Sequence, residues 1–82
     1  MPRVATVRPN GPVIQALRMR KGLSRAQLGM MTGRHKQSIR RIEVEDGPAS
    51  ELLMHQVANA LQVDIAELIV PEAEGDEDEV AA

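Results

Sequence analysis

Lys36, Gln37, Arg40 and Arg41 lie within one short stretch and share a direction. On a helix turning about 100° per residue, these four and Val44 fall opposite Ile39 and Ile42, which stand three apart and form an inward edge. A short helix with a basic, amide-bearing outer face can enter a DNA major groove if a second helix holds it. Catalysis has no comparable constellation. His35, His55 and three serines are present, with no spacing that makes a triad or an HExxH site. His55 shares a helical stretch with Leu52 and Gln56 and reads as a surface or half-buried histidine. With no cysteine and two distant histidines, we expect no metal, no cofactor and no enzymatic activity.

Composition sharpens this. The 82 residues allow one small domain, stabilised by an aliphatic core and good capping. Phe, Tyr and Trp are absent, which disfavours readers of single strands or RNA that stack bases on aromatic rings. A long β-sheet protein is disfavoured for the same reason. Apolar runs are too short for a membrane span, and the N-terminus has no apolar h-region. We expect a cytoplasmic protein, bacterial or phage-encoded and nucleoid-associated when bound. The net charge of −2 hides a division: all ten Lys and Arg lie between Arg3 and Arg41, and all twelve Asp and Glu between Glu43 and Glu79. One half suits a polyanion, and an acidic tail follows.

The elements that must position the basic stretch follow from caps and breakers. Residues 1–10 read as a flexible basic arm, since Pro2 and Pro9 discourage a helix around Arg3 and Arg8. Such an arm can lie on phosphates, enter a minor groove, pair with a partner chain or simply fray. Asn10 or Gly11 can cap a first helix with Pro12 at its start, and Val13, Ile14 and Leu17 on its apolar side. Arg18, Arg20 and Lys21 fill its last turns before Gly22. Ser24 with Gln27 makes a capping box for a second helix, which runs to about Met31. Gly33 can take the positive φ of the turn. A third helix starts near His35 or Lys36 and ends by Asp46-Gly47-Pro48. Ser50 caps a fourth, with Leu53, Met54, Val57, Ala58 and Leu61 as its stripe. Asp64 with Glu67 suggests a short fifth helix holding Ile65, Leu68 and Ile69, stopped by Pro71. Residues 11–71 thus form the domain. Residues 72–82 are too acidic and too poor in apolar side chains to order themselves.

With these pieces in place, Arg18, Lys21-Gly22-Leu23-Ser24, Gly33, Ile39, Ile42-Glu43 and the run Gln56-Val57-Ala58-Asn59-Ala60-Leu61 resemble the Cro/repressor-type helix-turn-helix domain, also called XRE-like. The resemblance covers about Pro12 to Ile69. It implies an all-α fold, a compact five-helix lambda-repressor-like bundle whose third helix reads the major groove. It makes Lys36 and Gln37, then Arg40, the base readers. Gln pairs with adenine, while Lys and Arg reach guanine O6 and N7. It makes Arg25 a phosphate contact, with Arg34, His35 and Arg41 as further phosphate candidates. It also pairs Arg18 with Glu43 as a structural brace between helices one and three.

Three positions depart from the family. Gly29 replaces the usual Ala, Arg34 replaces an apolar residue, and His35 stands where Ser or Thr usually caps the recognition helix. The implied function is a sequence-specific regulator of transcription on double-stranded DNA, acting as a repressor. The implied assembly is a homodimer on near-palindromic half-sites about 34 Å apart. Leu52, Leu53, Ile65, Ile69 and Val70 supply the apolar residues for its interface. A second function class is an antitoxin or adaptor of the same fold, gripping a protein partner through the acidic tail. Beyond Pro71 only Val80 and a few alanines could anchor such a partner, so this reading ranks second.

Overall fold

The computed structural model describes residues 5–45 and 47–70. The expectations for Arg3 and for the tail from residue 72 lie outside the described residues. In chain order the elements are β1 (Thr6–Pro9), α1 (Gly11–Arg20), α2 (Arg25–Thr32), α3 (Lys36–Val44), β2 (Ala49–Ser50), α4 (Glu51–Leu61), a single 3-10 turn (Ile65–Glu67) and β3 (Ile69–Val70).

The caps follow local chemistry. Ser24 Oγ accepts from Gln27 N at 3.0 Å, and Gln27 Oε1 accepts from Ser24 N at 2.7 Å, so the capping box is complete. Ser50 Oγ accepts from Leu53 N at 3.0 Å to start α4. Gly33 ends α2 in the left-handed region at φ 70°.

The core is aliphatic. Ile14, Leu28, Ile39, Met54, Val57, Leu61 and Leu68 are fully buried, joined by Ile42, Leu53 and Ala58. α2 packs on α3 and on α4, and α1 closes against α3.

Three expectations need correction. The fold is mostly helical but not all-α: among the described residues it has four α-helices and a three-stranded antiparallel sheet in the order β2-β1-β3. The fifth helix is only one turn. Glu67 N bonds to Asp64 O at 2.9 Å and Leu68 N to Ile65 O at 2.8 Å, both i→i+3. Asp64 makes no side-chain cap. Pro71 biases Val70 away from the helical region, and the β-branched pair Ile69-Val70 pairs with β1 instead. Much of the expected free arm is that strand. Thr6 opposes Ser50, Val7 opposes Ala49, Arg8 opposes Val70 and Pro9 opposes Ile69. Val7 rests against the core.

Candidate nucleic-acid interface

The third helix is fixed from three sides. Ile39 and Ile42 anchor it in the core. At its beginning, the turn from α2 presses on Gly29: Arg34 N donates to Gly29 O at 2.7 Å, and a Cβ on Gly29 would stand 2.7 Å from Arg34 O. At its end, Gly11 of α1 lies against the Glu43 backbone so closely that any Cβ there would collide with the Glu43 carbonyl. The first turn of α1 therefore seats directly on the last turn of α3.

Glu43 supplies the electrostatic anchor. Its side chain has no solvent exposure. Arg18 Nε donates to Oε2 at 2.6 Å and Arg18 Nη2 to Oε1 at 3.1 Å. Arg18 Nη1 reaches the Leu23 carbonyl at 2.7 Å, which ties the loop before α2 to the same node. Arg25 Nε also donates to Glu43 Oε1, at 2.9 Å. A buried carboxylate of this kind is tolerable only because both of its oxygens have charged donors.

His35 is the N-cap of α3. Its Nδ1 accepts from Gln37 N at 3.1 Å, which places the proton of the neutral ring on the exposed Nε2 side. α3 therefore begins at Lys36, which decides between the two starts the sequence allowed.

On the outer face, Lys36, Gln37, Arg40, Arg41 and Val44 are exposed. Arg40 and Arg41 both approach Glu45, at 3.7 and 3.8 Å, with all three side chains more than half exposed. Such long, solvated pairs contribute little and leave both guanidiniums free to reorient. Arg34 differs: its Nε donates to Gln56 Oε1 on α4 at 3.1 Å, so its stem is held against the domain. Arg34, Ser38 and Arg41 line one groove beside β2, together with Pro48 and Ser50.

Lys36, Gln37 and Arg40 thus share one exposed face with Arg41, whereas Arg25 and Arg34 are drawn toward buried or half-buried partners. Sequence reasoning did not find the Arg25–Glu43 contact, the seat at Gly11 or the place of Ser38 in the groove. Only Ser38 carried a local signal, four residues after Arg34 and three before Arg41. Among the described residues no group of three or more His, Cys, Asp or Glu is placed to hold a metal ion. No helix among them is long and apolar enough to cross a membrane.

Comparison with known proteins agrees with this geometry. The helix-turn-helix family model matches residues 14–68. Among solved structures, the restriction-modification controller protein C.AhdI from Aeromonas hydrophila superposes with a TM-score of 0.65 at 26% identity, covering 70% of this chain and 86% of that one. None of the curated proteins matches the chain.

Proposed function

We propose that this chain, which belongs to the Cro/repressor-type (XRE-like) helix-turn-helix family of DNA-binding regulators of transcription, is a repressor that reads the major groove with α3. One observation carries the reading. α3 is immobilised by Ile39, Ile42 and Glu43, while Lys36, Gln37, Arg40 and Arg41 stand exposed on its opposite side. A rigid helix with free donors can discriminate base edges, because its side chains need little further ordering on contact.

Lys36 and Gln37, at the N-terminal end of α3, read bases, and Arg40 follows one turn on. Arg25, Arg34, His35 and Arg41 contact phosphates and set the register. Repression needs no further part, since a small domain seated over a promoter excludes polymerase. The likeness to a protein described as a restriction-modification controller supports a regulatory role.

A single recognition helix covers few base pairs, so the chain acts as a homodimer on two half-sites about one helical turn apart. Of the five residues proposed for its interface, Leu53 belongs to the core, and Ile65 and Ile69 pack against that core. Leu52, 62% exposed, and Val70, 37% exposed, remain available. In-vitro selection of duplexes from a random pool tests the whole reading. Enrichment of a two-fold symmetric site is the expected result. A pool with no enriched sequence would rule out specific recognition, and an asymmetric single half-site would rule out the dimer.

A further inference from the structure

We propose that Glu43, besides bracing α1 against α3, is the positioning residue that aims Arg25 at a DNA phosphate. The inference rests on the DNA-binding reading above and adds to it how the backbone contact is built.

One carboxylate faces two guanidiniums. Arg18 and Arg25 both donate to Glu43, whose side chain is wholly buried, so the cluster carries one positive charge in excess. Arg18 is itself buried, with Nε and Nη2 on Glu43 and Nη1 on the Leu23 carbonyl. The excess charge is therefore accessible only at Arg25, whose side chain is 31% exposed. Among the described residues no hydrogen bond engages its terminal nitrogens.

A guanidinium offers one donor edge through Nε and another through its two terminal nitrogens. Holding Arg25 by Nε leaves the second edge free for two parallel bonds to a phosphate. It also removes rotamer freedom from a long side chain before DNA arrives, which lowers the entropic cost of contact. Lysine has the charge but no planar edges: its single nitrogen must divide three donors between Glu43 and a phosphate, and the parallel pair of bonds to the phosphate is lost.

Simple charge counting and positioning predict opposite signs for Glu43→Gln. Removing a negative charge near DNA should tighten binding. Releasing Arg25 should weaken it.

The test is fluorescence anisotropy of the full chain with a short mixed-sequence DNA duplex over a salt series. Wild type, Arg25→Lys, Arg25→Gln, Glu43→Gln and the double variant are compared where circular dichroism shows each folded. Arg25→Lys should lose about tenfold in affinity, close to Arg25→Gln, and the log–log salt slope should shrink by about one. Glu43→Gln should weaken binding in the wild-type background and add little to Arg25→Gln. Should Glu43→Gln not fold, the Arg25 Nε–Hε resonance of the wild type decides. Slow exchange of that proton, persisting in the complex, supports the inference, and exchange as fast as a solvated arginine overturns it. Wild-type-like binding by Arg25→Lys also overturns it and leaves the DNA reading intact. Failure of the wild type to bind any duplex removes both.

Discussion

Gly29 and Arg34 meet backbone to backbone. The Arg34 amide donates to the Gly29 carbonyl at 2.7 Å, and the Arg34 carbonyl occupies the space a Gly29 side chain would need. This resolves two oddities of the sequence together. A glycine inside α2 costs about 1 kcal/mol in helix propensity, yet it lets the turn descend onto the helix. Arg34, in a place usually apolar in the family, does not fill the turn; its stem runs to Gln56.

Gly29→Ala therefore sets propensity against packing. Alanine should gain about 1 kcal/mol as a helix former. Displacing backbone atoms should cost about 2 kcal/mol, because the backbone of neither Arg34 nor Lys36 can yield as a flexible side chain would. We expect a net loss of roughly 1 kcal/mol, seen as a fall in Tm of about 5 °C. A rise in Tm would show that the turn relaxes freely.

Glu43→Gln should be among the most destabilising polar substitutions in the chain. It leaves the buried Arg18 and its neighbour Arg25 facing each other without a counter-charge. The expected loss is roughly 3 kcal/mol in urea denaturation. Arg25→Gln, which leaves the Arg18–Glu43 pair whole, should cost less than about 1 kcal/mol. Equal losses for the two variants would mean that Arg25 is as structural as Arg18.

The opposite sign is expected at Gln62. It ends α4 at φ 61°, a left-handed conformation that side chains with a Cβ disfavour. Its Oε1 accepts from Lys21 Nζ at 3.0 Å, but that bond is exposed and adds little. Gln62→Gly should stabilise by roughly 0.5 kcal/mol in a thermal melt. A lower Tm would assign the Lys21 contact more weight than its exposure suggests.

On DNA, Lys36→Ala and Gln37→Ala should each relax preference at one base pair, by about 1–3 kcal/mol of discrimination. Arg41→Ala should weaken all sequences alike and reduce the salt slope by about one. The comparison is made by repeating sequence selection with each variant. Equal weakening of selected and random duplexes by Gln37→Ala would remove its base-reading role.

The second and fourth helices were legible because each carries its own start signal. Ser24 with Gln27 and Ser50 act on their own first turns, and Gly33 needs only its own φ. The apolar stripes of α3 and α4 fall at helical spacing, so the core was legible as well. The sheet was not. Ala49–Ser50 and Ile69–Val70 are two-residue strands, too short to show an alternation, and each exists only because β1 lies between them. The fifth helix stopped at one turn for the same reason: Ile69–Val70 pairs with β1, a partner distant in sequence. Lys36, Gln37, Arg40 and Arg41 were readable as a face. The Arg25–Glu43 contact was not, because local spacing carries no information about two side chains converging from different helices.

The place of β1 between β2 and β3 also has a meaning in time. The strand leaves the ribosome first among the described elements and then waits. One partner, Ala49–Ser50, follows three helices later, and the other, Ile69–Val70, completes the set. Thr6–Pro9 keeps one edge unpaired until Ile69–Val70 has been made, so the strand is a latch closed by the last described residues. Interrupted synthesis would leave that latch open.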